Sequence, residues 1–285
     1  MRVGVVMWPI EDWPGMGDRW ARAEELGFHT GWVYDHLAWR GHTPWDDAYA
    51  TLAAAATRTS TMRLGTLVTS PNFRDPIPTA SAIRTIDRIS GGRLTIGAGA
   101  GGAAHTSDGD VRGRDIPPRE RADRFAEWTR QVDALLRRAP VTLRGEHWSA
   151  RDVTIGVGLV QQPRPPMWLA ANGPRGVRLT AELADGWIAN PPAGAAPLAD
   201  TRDRIHRLED ACGEAGRDPA GLAKLLMTGF TDEPWLASPA AFADLAGAYA
   251  EAGITDIALH WPRPGTAWDA PLATFEAIAA AARGV

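Results

Sequence analysis

Thr30-Gly31-Trp32-Val33-Tyr34-Asp35-His36 is a short apolar run that ends in an acid and an imidazole, and polar, glycine-containing sequence follows at once from Leu37 to Thr43. A buried strand that delivers such groups to its C-terminal end is how a parallel α/β sheet presents chemistry. Imidazole is also the side chain best suited to proton work near neutral pH. The dipeptide alone fits a second reading, in which Asp35 caps the next segment and His36 holds a loop.

The same grammar recurs along the chain. Apolar runs without polar alternation, the mark of strands buried on both faces, fall at Val3 to Met7, Gly31 to Tyr34, Arg63 to Thr69, Leu94 to Ala98, Met167 to Ala171, Trp187 to Asn190, Lys224 to Thr228 and Asp256 to His260. Amphipathic helices are predicted between them, over Met16 to Leu26, Asp46 to Thr57, Ile77 to Ile89, Pro118 to Arg137, Gly173 to Ala184, Asp200 to Glu214, Pro239 to Ala252 and Pro271 to Ala282. Gly27, Gly216 and Gly253 read as helix stops, and Asp46, Asp200 and Ser238 as helix N-caps. About eight strands alternating with about eight helices predict an α/β fold of the (β/α)₈ TIM-barrel type with insertion segments. A doubly wound open sheet is the alternative, but no Gly-x-Gly-x-x-Gly follows the first strand. One segment breaks the rhythm: Val141 to Gln162 lacks a helix and reads as a hairpin insertion with Gly145 near its turn.

The chain has 285 residues, which suits one large domain, and 45% of them are hydrophobic, enough for a sizeable core. A net charge of -4 argues against a nucleic-acid or anionic-membrane partner. One cysteine, Cys212, allows neither an intrachain disulfide nor a Cys-based metal site. Residues Met1 to Met7 are too short and too soon polar for a signal peptide, and no apolar run approaches the ~20 residues of a membrane span. The expectation is a soluble cytoplasmic protein. Of the 30 basic residues only Lys224 is a lysine, and the 13 tryptophans exceed what core filling needs.

On a barrel rim the strand ends would gather Trp8 and Glu11, Asp35, His36 and Trp39, Thr69 and Ser70, Gly99, Gly101 and His105, Asn172 and Gly173, Asn190, Thr228, and His260 with Trp261. Two glycine-bearing turns stand out. Gly97-Ala98-Gly99-Ala100-Gly101-Gly102 leaves a wall without side chains, which suits a planar ring or a crowded corner. Ala170-Ala171-Asn172-Gly173-Pro174 opens a helix, where free N–H groups suit an anion or simply a tight turn. There is no metal-ligand spacing and no Gly-x-Ser-x-Gly elbow. Redox chemistry on a bound organic cofactor is the remaining class.

Arg63-Leu64-Gly65-Thr66-Leu67-Val68-Thr69-Ser70-Pro71, then Arg74 and Pro76, then Ile86-Asp87-Arg88-Ile89-Ser90-Gly91-Gly92-Arg93-Leu94-Thr95-Ile96-Gly97-Ala98-Gly99, resembles the bacterial luciferase-like flavin and deazaflavin (F420) oxidoreductases. Val33-Tyr34-Asp35-His36, Pro165 to Pro174 and Ala181-Glu182-Leu183-Ala184-Asp185-Gly186-Trp187 extend the resemblance. It implies one luciferase-like TIM-barrel domain over residues 1–285, with the hairpin around 141–162 inserted.

For the site, the resemblance implies that Asp35 and His36 stand beside the reactive ring edge, with His36 catalytic and Glu11 a further acid. Leu67-Val68 matches a third-strand bulge that often holds a non-proline cis peptide. Leu67, Val68, Thr69, Gly99, Gly101, His105, Ala170, Ala171, Asn172 and Gly173, together with Asp35, would bind the cofactor. Trp8, Trp39, His260 and Trp261 would line an aromatic slot for a small-molecule substrate. Some relatives carry a glutamate just after the strand-four glycines; here that place is Gly102, so Glu11, Asp108 or His36 itself would handle the proton. The cofactor implied is coenzyme F420. The alternatives are an FMN-dependent monooxygenase served by a separate flavin reductase, and a flavin-binding protein without turnover. A homodimer is expected from the resemblance.

Overall fold

The computed structural model describes residues 1–39, 42, 44–102, 108–191 and 196–284. Its elements follow in chain order. They are β1 (Arg2–Met7), α1 (Trp13–Glu25), β2 (Thr30–Val33), α2 (Ala48–Arg58), β3 (Arg63–Thr66), α3 (Pro76–Ile89), β4 (Leu94–Gly99), α4 (Asp108–Arg112), α5 (Pro118–Arg137), β5 (Val141–Arg144) and β6 (Ser149–Val153). Then come β7 (Met167–Ala170), α6 (Pro174–Leu183), β8 (Gly186–Ala189), α7 (Pro197–Glu214), β9 (Ala223–Met227), α8 (Pro239–Glu251), β10 (Asp256–His260) and α9 (Leu272–Ala282). The eight strands other than β5 and β6 form a closed parallel barrel in the order β1-β10-β9-β8-β7-β4-β3-β2. The (β/α)₈ expectation holds because every long apolar run became a strand with both faces buried, as in β4 and β10.

The chain divides into two compact units. One comprises Met1–Met7, Arg19–Trp32 and Trp168–Val285. Its core holds Trp20, Trp32, Trp187, Phe242, Tyr249 and Phe275, none more than 1% exposed. Trp32 meets Trp168 with ring centres 5.5 Å apart, and Phe28 stacks on Phe275 at 5.4 Å. The other comprises Trp8–Asp18 and Val33–Met167. There Leu52, Leu64, Ile83, Leu94, Trp128 and Val132 are buried. Arg93 ties this unit together by donating to the carbonyls of Ala56, Thr59, Met62 and Ser90.

Helix ends mostly follow the punctuation. Gly27, Gly216 and Gly253 hold φ of +84°, +67° and +100° just past their helices. Ser238 caps α8 through the Ala241 N–H. Two caps differ. Asp47, not Asp46, caps α2 by accepting from the Ala50 N–H, while the Asp46 N–H donates to the Pro9 carbonyl. Helix α7 begins at Pro197, so Asp200 lies in its first turn and pairs with Arg204 at 2.8 Å. A carboxylate there complements the helix dipole without capping.

Strands β5 and β6 pair antiparallel. Their turn is gripped by one carboxylate from α5. Glu127 accepts the backbone N–H groups of Glu146 (3.0 Å), His147 (3.1 Å) and Trp148 (2.9 Å), and the Gln131 side-chain amide at 3.0 Å. Among the described residues no helix is long and apolar enough to cross a membrane. Replacing Glu127 by Ala removes a charged acceptor from three amides, a loss of about 1–3 kcal/mol. Amide hydrogen exchange should accelerate at residues 146–148 far more than in α5. Unchanged protection there would show that the carboxylate does not hold the turn.

Candidate active site

Beyond β2 the backbone continues through Tyr34, Asp35 and His36. The neighbouring chain after β3 runs alongside: the Leu67 N–H donates to the Val33 carbonyl at 2.8 Å, and Thr69 bridges to Ala98 beyond it. The Leu67–Val68 peptide is cis. Thr69 therefore sits beside Asp35, and its hydroxyl donates to Asp35 Oδ2 at 2.6 Å. Arg74 completes the shell, with Nε on Oδ2 at 3.0 Å and Nη2 on Oδ1 at 2.5 Å. The same Nη2 also reaches Asp47 Oδ2 at 2.6 Å, and the guanidinium lies 4.9 Å from the centre of the Tyr49 ring.

This is a bidentate pair with the carboxylate side chain fully buried. Burial pushes the Asp35 carboxyl above its usual range, and Arg74 and Thr69 pull it back. Burial would lower the Arg74 guanidinium, but Asp35 and Asp47 outweigh it and raise it above its ordinary value. Asp35 is thus a fixed anchor with its acceptor sites filled. Its neighbour His36 is the group left open to chemistry.

His36 sits in an aromatic cluster. Its ring centre lies 4.5 Å from Trp39, 5.6 Å from Trp45 and 6.4 Å from Tyr34, and Trp8 packs on both Tyr34 (5.9 Å) and Trp45 (5.4 Å). Nδ1 of His36 is buried, makes no hydrogen bond, and faces Asp108 Oδ1 at 3.7 Å. The Asp108 carboxylate is held by the Asn72 side-chain amide (2.7 Å) and the Gly102 N–H (2.9 Å). Burial would raise the Asp108 carboxyl, but His36, Asn72 and Gly102 together bring it below its ordinary value. Gly101, at φ +83°, must be glycine, since a Cβ there would collide with Asn72 and Ser70. Asn72 Oδ1 is buried without a partner among the described residues.

The turn after β7 belongs to the other compact unit. Trp187 Nε1 donates to the Ala171 carbonyl at 2.8 Å, and Ala170 lies one residue before it at the strand end. Arg204 donates to the Asn172 side chain at 2.8 Å and to the Asn190 carbonyl at 3.1 Å. Asn172 and Gly173 are exposed, and Gly173 opens α6 with no side-chain cap.

The residues singled out from sequence divide accordingly. Asp35, His36, Leu67, Val68, Thr69, Gly99, Gly101, Trp8 and Trp39 share one compact unit, and Trp8 and Trp39 flank the imidazole cluster. Glu11 lies on the bend between β1 and α1, half-buried. His260 ends β10 and stacks on Trp268 at 4.4 Å. Trp261 turns instead toward Phe275 of α9 (5.3 Å) and lies 5.7 Å beneath Arg19. His105 lies outside the described residues. Sequence reasoning missed Trp45, Asp47 and Asn72, and left Arg74 as a motif residue without a role. Arg74 carried a signal, an arginine in the proline-bracketed turn after a strand, but nothing local pointed it at Asp35.

Removing Arg74 leaves Asp35 as an unpaired buried acid, so Arg74→Ala should cost about 3–5 kcal/mol. In that variant the carboxyl rises further above its unfolded value of about 3.9. The folded state then holds the proton where the unfolded state has lost it, so stability falls as pH rises through that window. Arg74→Ala should therefore melt closer to the parent at pH 5 than at pH 8. An equal deficit at both values would mean that Asp35 does not carry the charge.

Residues 6–231 match the model of the luciferase-like monooxygenase family. An F420-dependent glucose-6-phosphate dehydrogenase of Amycolatopsis mediterranei is 35% identical over 179 residues, covering 61% of this chain and 52% of that protein, so the match spans about half the length of this relative. The solved coenzyme F420-dependent tetrahydromethanopterin reductase of Methanopyrus kandleri superposes with a TM-score of 0.78 at 19% identity, over 98% of this chain and 97% of that one. A monooxygenase from Streptomyces bottropensis superposes at 0.76 with 22% identity, over 99% and 97% of the two chains. A closed parallel barrel with this aromatic strand-two motif, and a family model that matches most of its length, make the chain a member of the luciferase-like monooxygenase family.

Proposed function

We propose that the chain is an F420-dependent oxidoreductase that passes hydride between the deazaflavin ring and a small organic substrate, with His36 handling the accompanying proton. The observation that carries this reading is the state of His36. The imidazole is packed among Tyr34, Trp39 and Trp45, and Nδ1 faces an acid without a hydrogen bond of its own. Asp35 beside it is already neutralised by Arg74 and is not free for chemistry. The names of the relatives support F420 as the cofactor.

The residues fit a flat ring. Backbone from Gly99 to Gly101, where a side chain at 101 would collide, gives a wall to lie against, with Leu67, Val68 and Thr69 on the adjoining strand end. Ala171, Asn172 and Gly173 suit a phosphate through the open start of α6. Bound F420 supplies the hydride chemistry that side chains lack. The protein's own part is acid–base. His36 holds or accepts a proton, and the Asp108 carboxylate lies 3.7 Å from its Nδ1. Asp108, brought back to the Gly102 N–H by α4, supplies the carboxylate that the Gly102 position itself lacks.

Titration with F420 and with FMN tests the cofactor. F420 should bind with a clear fluorescence change and FMN more weakly. The opposite order would favour the competing reading, an FMN-dependent monooxygenase that draws reduced flavin from a separate reductase. His36→Ala should lower turnover by about 10²–10⁴-fold while F420 affinity stays within a few-fold. Asp108→Asn should lower turnover while F420 affinity stays within a few-fold. An unchanged rate would remove Asp108 from this reading. We further propose that the chain works as a homodimer, which sedimentation at twice 30.6 kDa would support.

A further inference from the structure

A cavity of about 220 Å³ opens at the carboxyl ends of β9 and β10, within a single compact unit. Engineered cavities of about 150 Å³ take up benzene, so this one has room for a ring. The lining includes an aromatic pair: Trp268 stacks on His260 at 4.4 Å with the rings 24° apart, and Phe230, outside the lining, packs on the edges of both at 5.7 Å. Gly229, at φ +83°, makes the arrangement possible, because a Cβ there would collide with the Trp268 indole. The lining also carries two acids, Glu233 and Asp269. Glu233 accepts from the Tyr249 hydroxyl (2.8 Å), the Thr231 hydroxyl (2.8 Å) and Trp235 Nε1 (3.4 Å), which fix its carboxylate in place. Asp269 also lines the cavity and caps the turn at Gly265. No lysine or arginine is among the lining residues. Burial holds the His260 imidazole down to about 3, so it adds no positive charge near neutrality.

We infer that this cavity is a ligand-binding site in its own right, and that it takes an aromatic or heteroaromatic molecule that is neutral or cationic and disfavours phosphorylated or carboxylate ones. The inference stands on the lining of the cavity, whichever cofactor the chain uses. A ring enters between Trp268 and the acidic lining, with its hydrogen-bond donors or positive charge toward Glu233. A phosphate monoester would bring a dianion to a cavity lined by two carboxylates and by no lysine or arginine. Like-charge juxtaposition of this kind is a strong means of excluding a wrong partner.

The test is a charge series of near-isosteric probes on the full chain, free and with F420 bound: benzamidine, benzamide and benzoate, read by calorimetry or saturation-transfer NMR. Benzamidine should bind tightest and benzoate at least about tenfold more weakly. Glu233→Gln should compress that spread, and Asp269→Asn gives the same readout should the first variant fail to fold. Trp268→Ala should weaken benzamidine and benzamide alike, which places the probes in this cavity. The inference is overturned if benzoate binds as tightly as benzamidine, if the order survives in both acid variants, or if no probe binds.

Discussion

The buried ion pair of Asp35 and Arg74 is the constraint on which the candidate site depends. Asp35 follows a four-residue strand, Thr69 follows the next one, and Arg74 sits just before α3. The guanidinium also grips Asp47, the cap of α2. Four pieces of chain are thereby fixed relative to one carboxylate. Taking an acid out of water is costly unless cations and donors fill its acceptor sites, and here Arg74 and Thr69 fill them. The consequence for chemistry falls on the next residue. His36 follows directly on an anchored neighbour, and its buried Nδ1 makes no hydrogen bond of its own.

The two acids near this imidazole play opposite parts. Asp35 is locked and electrically cancelled. Asp108 is tied by an amide and a backbone N–H, neither of which carries charge, so its negative charge acts on whatever faces it. That division suits proton transfer: one acid supplies rigidity and the other supplies field. The cluster of Trp8, Tyr34, Trp39 and Trp45 adds a low-dielectric surround in which such a field is felt more strongly.

Much of the fold was legible because it depends on local pattern. The unalternating runs at Val3 to Met7 and Asp256 to His260 can only be doubly buried strands, and the glycines after α1, α7 and α8 can only be stops where they hold positive φ. Boundaries failed where two local signals competed. At α7 the proline at 197 starts the helix and demotes Asp200, and at α2 the neighbouring acids Asp46 and Asp47 could not be told apart. Helix α4, five residues long, is too short to show a period. In the site, His36 was legible because it closely follows an apolar strand. Its surroundings were not, because they are non-local: Arg74 lies 39 residues from Asp35, and nothing in the sequence marked Trp45 as a neighbour of the imidazole or Trp268 as the stacking partner of His260.

The grip of Glu127 on the hairpin turn has a wider implication. Three successive amides converge on one carboxylate, which makes the turn a nest for an anion, with the anion supplied covalently by the chain. Trimming that side chain would uncover a vacant receptor for chloride or phosphate. The insertion would then become a salt-responsive element, tightening as small anions take the place the glutamate had filled.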